Sequence, residues 1–290
     1  MKNYLNVRGK LLDCSTPIVM GILNITPDSF YDGGNIENEN DLVNYTGKLI
    51  REGVSIIDIG AQSTRPGAEL ISGKTEWDRL HKPLALLRKT FPEVIFSVDT
   101  FHSDVAANAV AEGADIINDI SGGTMDGKMF ETIGRLKIPY VLMHIQGTPQ
   151  TMQKNPVYID VVKEVMDFFA DRLFRLNAAG VTDIIIDPGF GFGKTIDHNF
   201  KLLNNLDLFK IFDRPILAGL SRKSIVNKVI GTKPENALNG TTVLNTIALL
   251  KGANILRVHD VKEAIEAIIL TNQISKIESR NPKVKHEKNL

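Results

Sequence analysis

Three side chains that can accept hydrogen bonds stand at or near the ends of separate apolar runs. Asp99 lies in VIFSVDT, Asn118 in DIINDISGG and Asp187 in DIIIDPGFG. Two carboxylates and an amide can together accept hydrogen bonds from the amino group and ring N–H groups of a flat heterocycle. If the three runs end at one place in the fold, these side chains form a pocket for a ring with a donor-rich edge, such as a guanine or a pterin.

Cationic and amide side chains follow other apolar runs. Lys223, in the segment SRKS, can donate a hydrogen bond to a carbonyl oxygen or ring nitrogen of the same heterocycle. A second group suits an anion site for phosphates, because guanidinium groups bind oxyanions in a fixed geometry. It consists of Asn24, Arg65, Arg257 and His259.

The glycine-rich stretch DPGFGFGKT (187–195) is not a nucleotide-binding loop. A P-loop would require glycine where Pro188 stands, and the GxGxG spacing differs from the GxGxxG dinucleotide fingerprint. Lys194 is therefore predicted to be a loop or surface charge.

The sequence contains no HExxH or CxxC spacing, so no tightly held zinc is expected. A Mg2+ ion arriving with a phosphate substrate needs only one or two protein ligands and remains compatible with the sequence.

The composition is that of an ordinary globular protein. Of 290 residues, 43% are hydrophobic and 23% charged, and 34 basic side chains balance 34 acidic ones. This balance gives no support for a nucleic-acid or membrane partner. A single cysteine, Cys14, excludes an internal disulfide and fits a reducing compartment. With no secretory signal and no long apolar run, a cytoplasmic protein is expected.

Eight apolar runs alternate with segments of helical periodicity. The runs are continuous rather than alternating, which is typical of parallel strands covered by helices on the outside. They occupy residues 18–26, 55–64, 94–100, 115–123, 140–147, 183–191, 215–223 and 254–261. Helices are predicted at 41–52, 76–91, 103–112, 160–179, 199–209, 241–251 and 261–277.

This alternation predicts one α/β domain, a single (β/α)8 TIM barrel over residues 1–278, with a polar and disordered tail at 279–290. The alternative is a doubly wound open sheet, which usually has fewer strands in this length and a glycine fingerprint after its first strand. A TIM barrel collects the carboxyl ends of all its strands at one face, so the polar residues above would meet there.

Some polar residues in or beside the strands have a structural interpretation. Asp58, between two isoleucines, is interpreted as a hydrogen-bonded structural carboxylate. Asn118 and Asp119 must point to opposite faces of a strand, so only one can enter the pocket. His144 is interpreted either as a core histidine bonded to the backbone or as a catalytic residue, and the first interpretation is at least as good as the second. Arg222 is expected to point outward.

Eight segments, in order along the chain, resemble the dihydropteroate synthase family. They are MGILNITPDSFYDGG, QSTRPGA, SVDT, INDISGG, LMHIQGTPQTM, DPGFGFGK, SRKS and RVHDV, and the resemblance covers roughly residues 18–275. It implies a transferase of folate biosynthesis, the target of sulfonamides. The family joins 6-hydroxymethyl-7,8-dihydropterin pyrophosphate to p-aminobenzoate by an SN1-like displacement of pyrophosphate, without an enzyme nucleophile. A homodimer is also implied.

The resemblance assigns roles residue by residue. Pterin binding falls to Asp99, Asn118, Asp187 and Lys223. Binding of Mg2+ and pyrophosphate falls to Asn24, and the anion site to Arg257 and His259, aided by Arg65. Arg257 should also cover the pterin face.

The remaining roles concern p-aminobenzoate. Ser224, at the start of a helix, corresponds to the residue near its carboxylate. Its pocket is walled by Phe30, Thr64, Pro66 and Phe192. The resemblance also implies that the loops carrying Phe30 and Thr64–Pro66 are mobile and close over the substrates.

The sequence departs from the common pattern of the family at two positions. Gln62 stands where many members have glutamate, and His102, the second residue after the SVDT motif, stands where lysine is common.

Three other functions are candidates. One is a pterin-binding methyltransferase acting on methyltetrahydrofolate, which shares the barrel and the carboxylates but not the TPDSF, QSTRPGA and RVHDV segments. Another is a pterin-binding protein without catalysis, against which the filled catalytic positions argue. The third is a phosphate-binding barrel such as an aldolase, which would need a Schiff-base lysine, and Lys223 is the only such candidate at a strand end.

Overall fold

The computed structural model describes residues 3–25, 38–63 and 68–280. The chain begins with an antiparallel hairpin of strands β1 (Tyr4–Val7) and β2 (Lys10–Asp13). Its two turn residues, Arg8 and Gly9, have φ of 50° and 75°. Positive φ at both positions belongs to the tight turn that matches the twist of a hairpin. The sequence analysis did not predict this hairpin.

Eight further strands run parallel and pair in chain order around a barrel. They are β3 (Ile18–Asn24), β4 (Ile56–Gly60), β5 (Ile95–Asp99), β6 (Ile116–Asp119), β7 (Tyr140–Met143), β8 (Ile184–Asp187), β9 (Leu217–Ala218) and β10 (Ile255–Val258). β10 pairs with both β3 and β9. The Ile186–Ile216 bridge and a 3.0 Å bond from Ile186 N to the Pro215 carbonyl join β8 to β9. The (β/α)8 prediction is confirmed, and the open-sheet alternative is wrong.

Nine helices cover the described part of the barrel. They are α1 (Glu39–Arg51), α2 (Gly73–Thr90), α3 (Ser103–Ala111), α4 (Met129–Leu136), α5 (Val161–Ala178), α6 (Ile196–Asn204), α7 (Ser224–Ile230), α8 (Leu238–Leu250) and α9 (Val261–Arg280). α9 extends two residues past the predicted domain boundary at 278, and residues 281–290 lie outside the described chain. None of the described helices is long and apolar enough to cross a bilayer.

Side chains alternate between the inside and the outside of the barrel along every strand. The lowest inward layer is apolar and packs against Leu5 and Val7 of the hairpin, which closes that end of the barrel. This layer consists of Met20, Ile56, Ile116, Val141, Ile185, Leu217 and Ile255. Residues two positions further along the strands face inward one layer higher, and there the barrel interior becomes polar.

Candidate active site

Arg257 on β10 links two carboxylates from successive polar layers of the barrel interior. Its Nε donates to Asp58 Oδ2 at 2.7 Å and its Nη2 donates to Asp99 Oδ2 at 2.9 Å. Asn118 Nδ2 donates to the same Asp58 oxygen at 2.9 Å. All four residues belong to different strands, so the barrel register brings them into one hydrogen-bonded group.

Asp58 therefore belongs with the site, although the sequence analysis assigned it only a structural role. It is fully buried, on β4. It holds the guanidinium of Arg257 and orients the amide of Asn118. A carboxylate can only accept hydrogen bonds, so the Asn118 nitrogen must face Asp58 and its oxygen is left for another donor.

Asp187 and Lys223 lie beside this group. Asp187 Oδ1 accepts a bond from Gly189 N at 2.7 Å. Lys223 donates to the Phe190 carbonyl. Gly219 lies between them, since a Cβ atom there would be 3.5 Å from Lys223 Nζ and 4.0 Å from both Asp187 Oδ2 and Arg257 Cβ. The two groups of charges thus come close together around a position without a side chain.

The charges of this cavity are strongly coupled. Burial raises the pKa of Asp99 to about 7 against the opposing effect of Arg257, and it raises the pKa of Asp187 against Lys223. Burial lowers the pKa of Lys223 to about 8, with Asp187 opposing. Three carboxylates, counting Asp58, face two cations. Carboxylates thus outnumber cations among these five side chains, which favours a ligand that is or becomes cationic.

His259 and Asn24 border this cavity at the barrel mouth. His259 shares a 2.9 Å hydrogen bond between its Nδ1 and Ser221 Oγ. Burial, followed by the Arg257 charge, lowers the pKa of His259 to about 4, so the ring is neutral at pH 7. A Cβ atom on Gly60 would lie 3.5 Å from Asn24 Oδ1 and 3.6 Å from Asp99 Cβ, which places the exposed Asn24 amide beside Asp99.

The described residues contain no group of three or more His, Cys, Asp or Glu side chains able to hold a metal. The exposed Asn24 amide offers one hard oxygen donor at the mouth of the cavity. One such ligand is compatible with Mg2+ that arrives on a phosphate substrate, because Mg2+ retains several waters and phosphate oxygens. The residues present therefore fit the predicted ion.

Lys194 lies in a loop, as predicted, but it is not a surface charge. Its side chain is buried, with 3% exposure, and donates to the Phe192 carbonyl at 2.9 Å. The glycines explain how the loop comes so close to β7. Gly189 has φ of 71°, and a Cβ atom there would overlap with the His144 carbonyl oxygen, so only glycine fits.

Other predicted residues fall in several places. Phe192 is 8% exposed, and Lys223 Nζ lies 4.5 Å from its ring centroid. Ser224 is the exposed first residue of α7. Asp119 accepts from the Tyr140 hydroxyl at 2.6 Å, away from the site, so Asn118 alone enters it as predicted. Outside the described residues lie Phe30, Thr64, Arg65 and Pro66.

Three further residues singled out in the sequence have structural contacts. Arg222 forms an ion pair with Asp260 at 2.6 Å. Gln62, the departure in the second motif, donates to the Glu69 carbonyl at 3.1 Å and accepts from Ile71 N at 2.9 Å. His144 Nδ1 lies 2.9 Å from Lys194 Nζ and, being buried, fits the interpretation as a core histidine.

A barrel mouth with two carboxylates, an amide and a lysine around one cavity defines a pterin-binding barrel enzyme, and the family model described as pterin binding enzyme matches residues 20–259. Dihydropteroate synthase from Escherichia coli K12 is 43% identical over 263 residues, covering 90% of this chain and 93% of the relative. The synthase from Streptococcus pyogenes is 38% identical, covering 92% and 98%. The chain belongs to the pterin-binding enzyme family and, within it, to the dihydropteroate synthases.

Solved structures agree with this assignment. A Yersinia pestis dihydropteroate synthase in a sulfonamide drug complex superposes with a TM-score of 0.89 at 40% identity, covering 94% of this chain and 99% of that one. A Xanthomonas albilineans dihydropteroate synthase with 4-aminobenzoic acid gives a TM-score of 0.87 at 36% identity, with coverage of 95% and 99%.

Replacing Asp58 tests its positioning role. Asp58→Ala removes an acceptor from both Arg257 and Asn118, so we expect the KM for the pterin substrate to rise about 10- to 100-fold, as for loss of hydrogen bonds to charged groups. Steady-state kinetics measure this. Asp58→Asn can still accept both hydrogen bonds and is expected to lie much closer to wild type. An unchanged KM in Asp58→Ala would show that Asp58 is only structural.

Proposed function

We propose that this chain condenses 6-hydroxymethyl-7,8-dihydropterin pyrophosphate with p-aminobenzoate to give 7,8-dihydropteroate and pyrophosphate, a step of folate biosynthesis. The observation that carries the proposal is the cluster in which Asp99, Asn118, Asp187 and Lys223 meet around Gly219 and Arg257. This set supplies acceptors for the amino and ring N–H groups of a pterin and a donor for its carbonyl oxygen or ring nitrogen.

Each pterin-binding side chain is held before substrate arrives. Asp58 fixes the amide of Asn118, Gly189 N fixes one oxygen of Asp187, and the Phe190 carbonyl fixes Lys223. Such pre-orientation lowers the entropy lost when the ring binds. We propose that Arg257, which is restrained by two carboxylates, lies over the ring.

We propose that pyrophosphate leaves in an SN1-like step, before the amine attacks. The bond from the methylene carbon to the pyrophosphate oxygen breaks, and its electron pair leaves with the oxygen. Arg257 stabilises the leaving anion, assisted by Arg65 and by His259, while the excess carboxylate charge of the cavity stabilises the pterin cation. The amine of p-aminobenzoate then bonds to that methylene and releases a proton. No enzyme nucleophile is needed.

Asn24 is the residue that we propose holds Mg2+ at the mouth of the cavity. When bound, the ion would neutralise part of the charge of the pyrophosphate. The p-aminobenzoate ring is proposed to lie against Phe192, with its carboxylate near Ser224 at the start of α7. Phe30, Thr64 and Pro66 complete this pocket in the proposal, which for these three rests on the sequence alone.

We propose a homodimer formed through helices α8 and α9. The two helices pack against each other and present exposed apolar side chains, which a second copy of the same surface would cover. These are Val243, Ile247, Leu250, Leu270, Ile274 and Ile277.

The cytoplasm is the proposed compartment, because the buried thiol of Cys14 makes no disulfide.

A charge on the exposed α9 face tests the dimer. Leu270→Asp is expected to convert the dimer to a folded monomer, because a carboxylate would be buried without a partner at the interface. Sedimentation velocity measures the change in mass. Ile159→Asp, at an exposed apolar position outside α8 and α9, is the matched control and should remain dimeric. A wild-type monomer, or dimeric Leu270→Asp, would contradict the proposed interface.

Two substrate pairs distinguish the synthase from the methyltransferase alternative. With the pterin pyrophosphate, p-aminobenzoate and Mg2+, the purified chain is expected to release pyrophosphate. With methyltetrahydrofolate and a reduced corrinoid, it is expected to transfer no methyl group. Methyl transfer without pyrophosphate release would favour the methyltransferase. Pterin binding without either reaction would favour a binding protein.

A further inference from the structure

Lys194 is a buried charged side chain near the site that the pyrophosphate displacement proposed above does not use. Its Nζ is surrounded by four acceptors: His144 Nδ1 at 2.9 Å, and the carbonyl oxygens of His144 at 3.3 Å, Gly189 at 3.0 Å and Phe192 at 2.9 Å. A buried ammonium without such acceptors would be very costly. Four acceptors around one nitrogen indicate a site built for its N–H groups.

The tautomer of His144 supports this geometry. Burial, with the neighbouring Lys194 charge adding to it, lowers the pKa of His144 well below its ordinary value, so the ring stays neutral. A neutral ring whose Nδ1 accepts a bond carries its proton on Nε2. The ring also packs edge-on against Phe168, with centroids 4.9 Å apart, which fixes its orientation.

Lys194 belongs to a loop in which a side chain donates a hydrogen bond to each backbone carbonyl oxygen of residues 189–193. Lys194 itself binds those of Gly189 and Phe192, and Lys223 binds that of Phe190. Two donors from the preceding loop complete the set: Gln153 binds the Gly191 carbonyl, and Tyr158 binds that of Gly193, both at 2.8 Å. A buried loop without regular structure needs such donors.

This loop in turn positions the pocket lysine. It carries the carbonyl that accepts from Lys223 and the Phe192 ring beneath the Lys223 ammonium. A Cβ atom on Gly191 would lie 3.1 Å from Lys223 Cδ, so the loop backbone touches the lysine stem directly. Gly189 N, from the same loop, binds Asp187. A displacement of the loop would therefore move both charged partners of the substrate.

We propose that Lys194 is a positioning residue for the condensation. Its hydrogen bonds hold residues 189–193 against His144, which directly follows β7. They thereby keep Lys223, Asp187 and Phe192 in their substrate-binding positions. The inference rests on the proposed function for its kinetic consequences. The hydrogen bonds of Lys194 themselves are a property of the protein without substrate.

Lys194→Met tests the proposal, because it keeps the length of the side chain and removes its donors. On folded protein, the KM values for p-aminobenzoate and for the pterin substrate are expected to rise, and kcat/KM to fall about 10- to 100-fold, as for a small misplacement of catalytic groups. Amide hydrogen exchange of the peptide 187–195 is expected to become faster. Lys201→Met, at an exposed lysine on α6, is the matched control and should resemble wild type.

A merely structural lysine would give a different pattern. Lys194→Met would then melt at a lower temperature but keep wild-type KM values when folded, and this result would overturn the proposal. If Lys194→Met does not fold, the partner histidine decides. His144→Leu removes the Nδ1 acceptor and should raise both KM values, whereas His144→Asn can supply an amide oxygen and should restore them. Equal KM values in these two variants would also overturn it.

Failure of the proposed function would be visible separately. A folded wild-type protein without condensation activity would refute that function. The positioning of the loop by Lys194 would then be tested by two other measurements. These are the amide exchange of residues 187–195 and the dissociation constant for 6-hydroxymethylpterin. Wild-type exchange and affinity in Lys194→Met would reject the positioning role without reference to catalysis.

Discussion

An Asp187→Ala variant is expected to bind 6-hydroxymethylpterin about 100-fold or more weakly than wild type, the order of loss when one partner of a buried charge pair is truncated. The substitution removes an acceptor for the pterin amino edge and the carboxylate that balances Lys223. It also frees Gly189 N, whose bond to Asp187 is 2.7 Å long. Isothermal titration measures the dissociation constant.

Two further variants separate charge from folding. Asp187→Asn keeps an oxygen that can accept from Gly189 N, so it should fold normally and still bind pterin weakly because the charge is lost. Asp167→Ala removes an exposed carboxylate paired with Lys163 and should bind as wild type does. Wild-type affinity in Asp187→Ala would show that the pterin lies elsewhere.

Arg257→Met is expected to have the largest effect on stability. It leaves Asp58 and Asp99 buried close together without their shared counter-ion, which typically costs about 3–5 kcal/mol of unfolding free energy. Urea unfolding monitored by circular dichroism measures this loss. Arg175→Met, which removes an exposed pair with Asp171, should cost about 1 kcal/mol or less.

The loss in Arg257→Met should also depend on pH. The pKa of Asp99 is already raised to about 7 by burial against the opposing effect of Arg257, and removing the arginine should raise it further. A carboxyl group whose pKa is higher in the folded than in the unfolded protein destabilises the fold progressively as pH rises above the unfolded value. The deficit relative to wild type should therefore be smaller at about pH 5 than at about pH 8. A deficit that is absent at both values would contradict the role given to Arg257.

The polar residues of this pocket could be predicted because a TIM barrel has only one place for the carboxyl ends of its strands. Asp99, Asn118, Asp187 and Arg257 each end or nearly end an apolar run. Asp58 was not predicted to belong to the site, because it lies one layer deeper in the barrel than the strand ends. Its position two residues before Gly60, which pairs with Asp99, would have revealed its inward direction.

Other features have no comparable signal in the sequence. The contacts of Lys194 come from carbonyl groups of an irregular loop, and their positions do not follow from any periodicity. The short strands of the N-terminal hairpin and the short helix α7 carry too few residues for a clear apolar pattern. The residues of the first and second loops, including Phe30 and Arg65, depend on the resemblance alone.

The most direct test of the central claim is detection of the product itself. The wild-type chain and Asp187→Ala would each be incubated with the pterin pyrophosphate, p-aminobenzoate and Mg2+, and 7,8-dihydropteroate and pyrophosphate measured by mass spectrometry and a coupled assay. We expect equal amounts of both products from wild type and almost none from the variant. Folded wild-type protein that forms no dihydropteroate, or a variant that forms it at the wild-type rate, would contradict the proposed activity or its site.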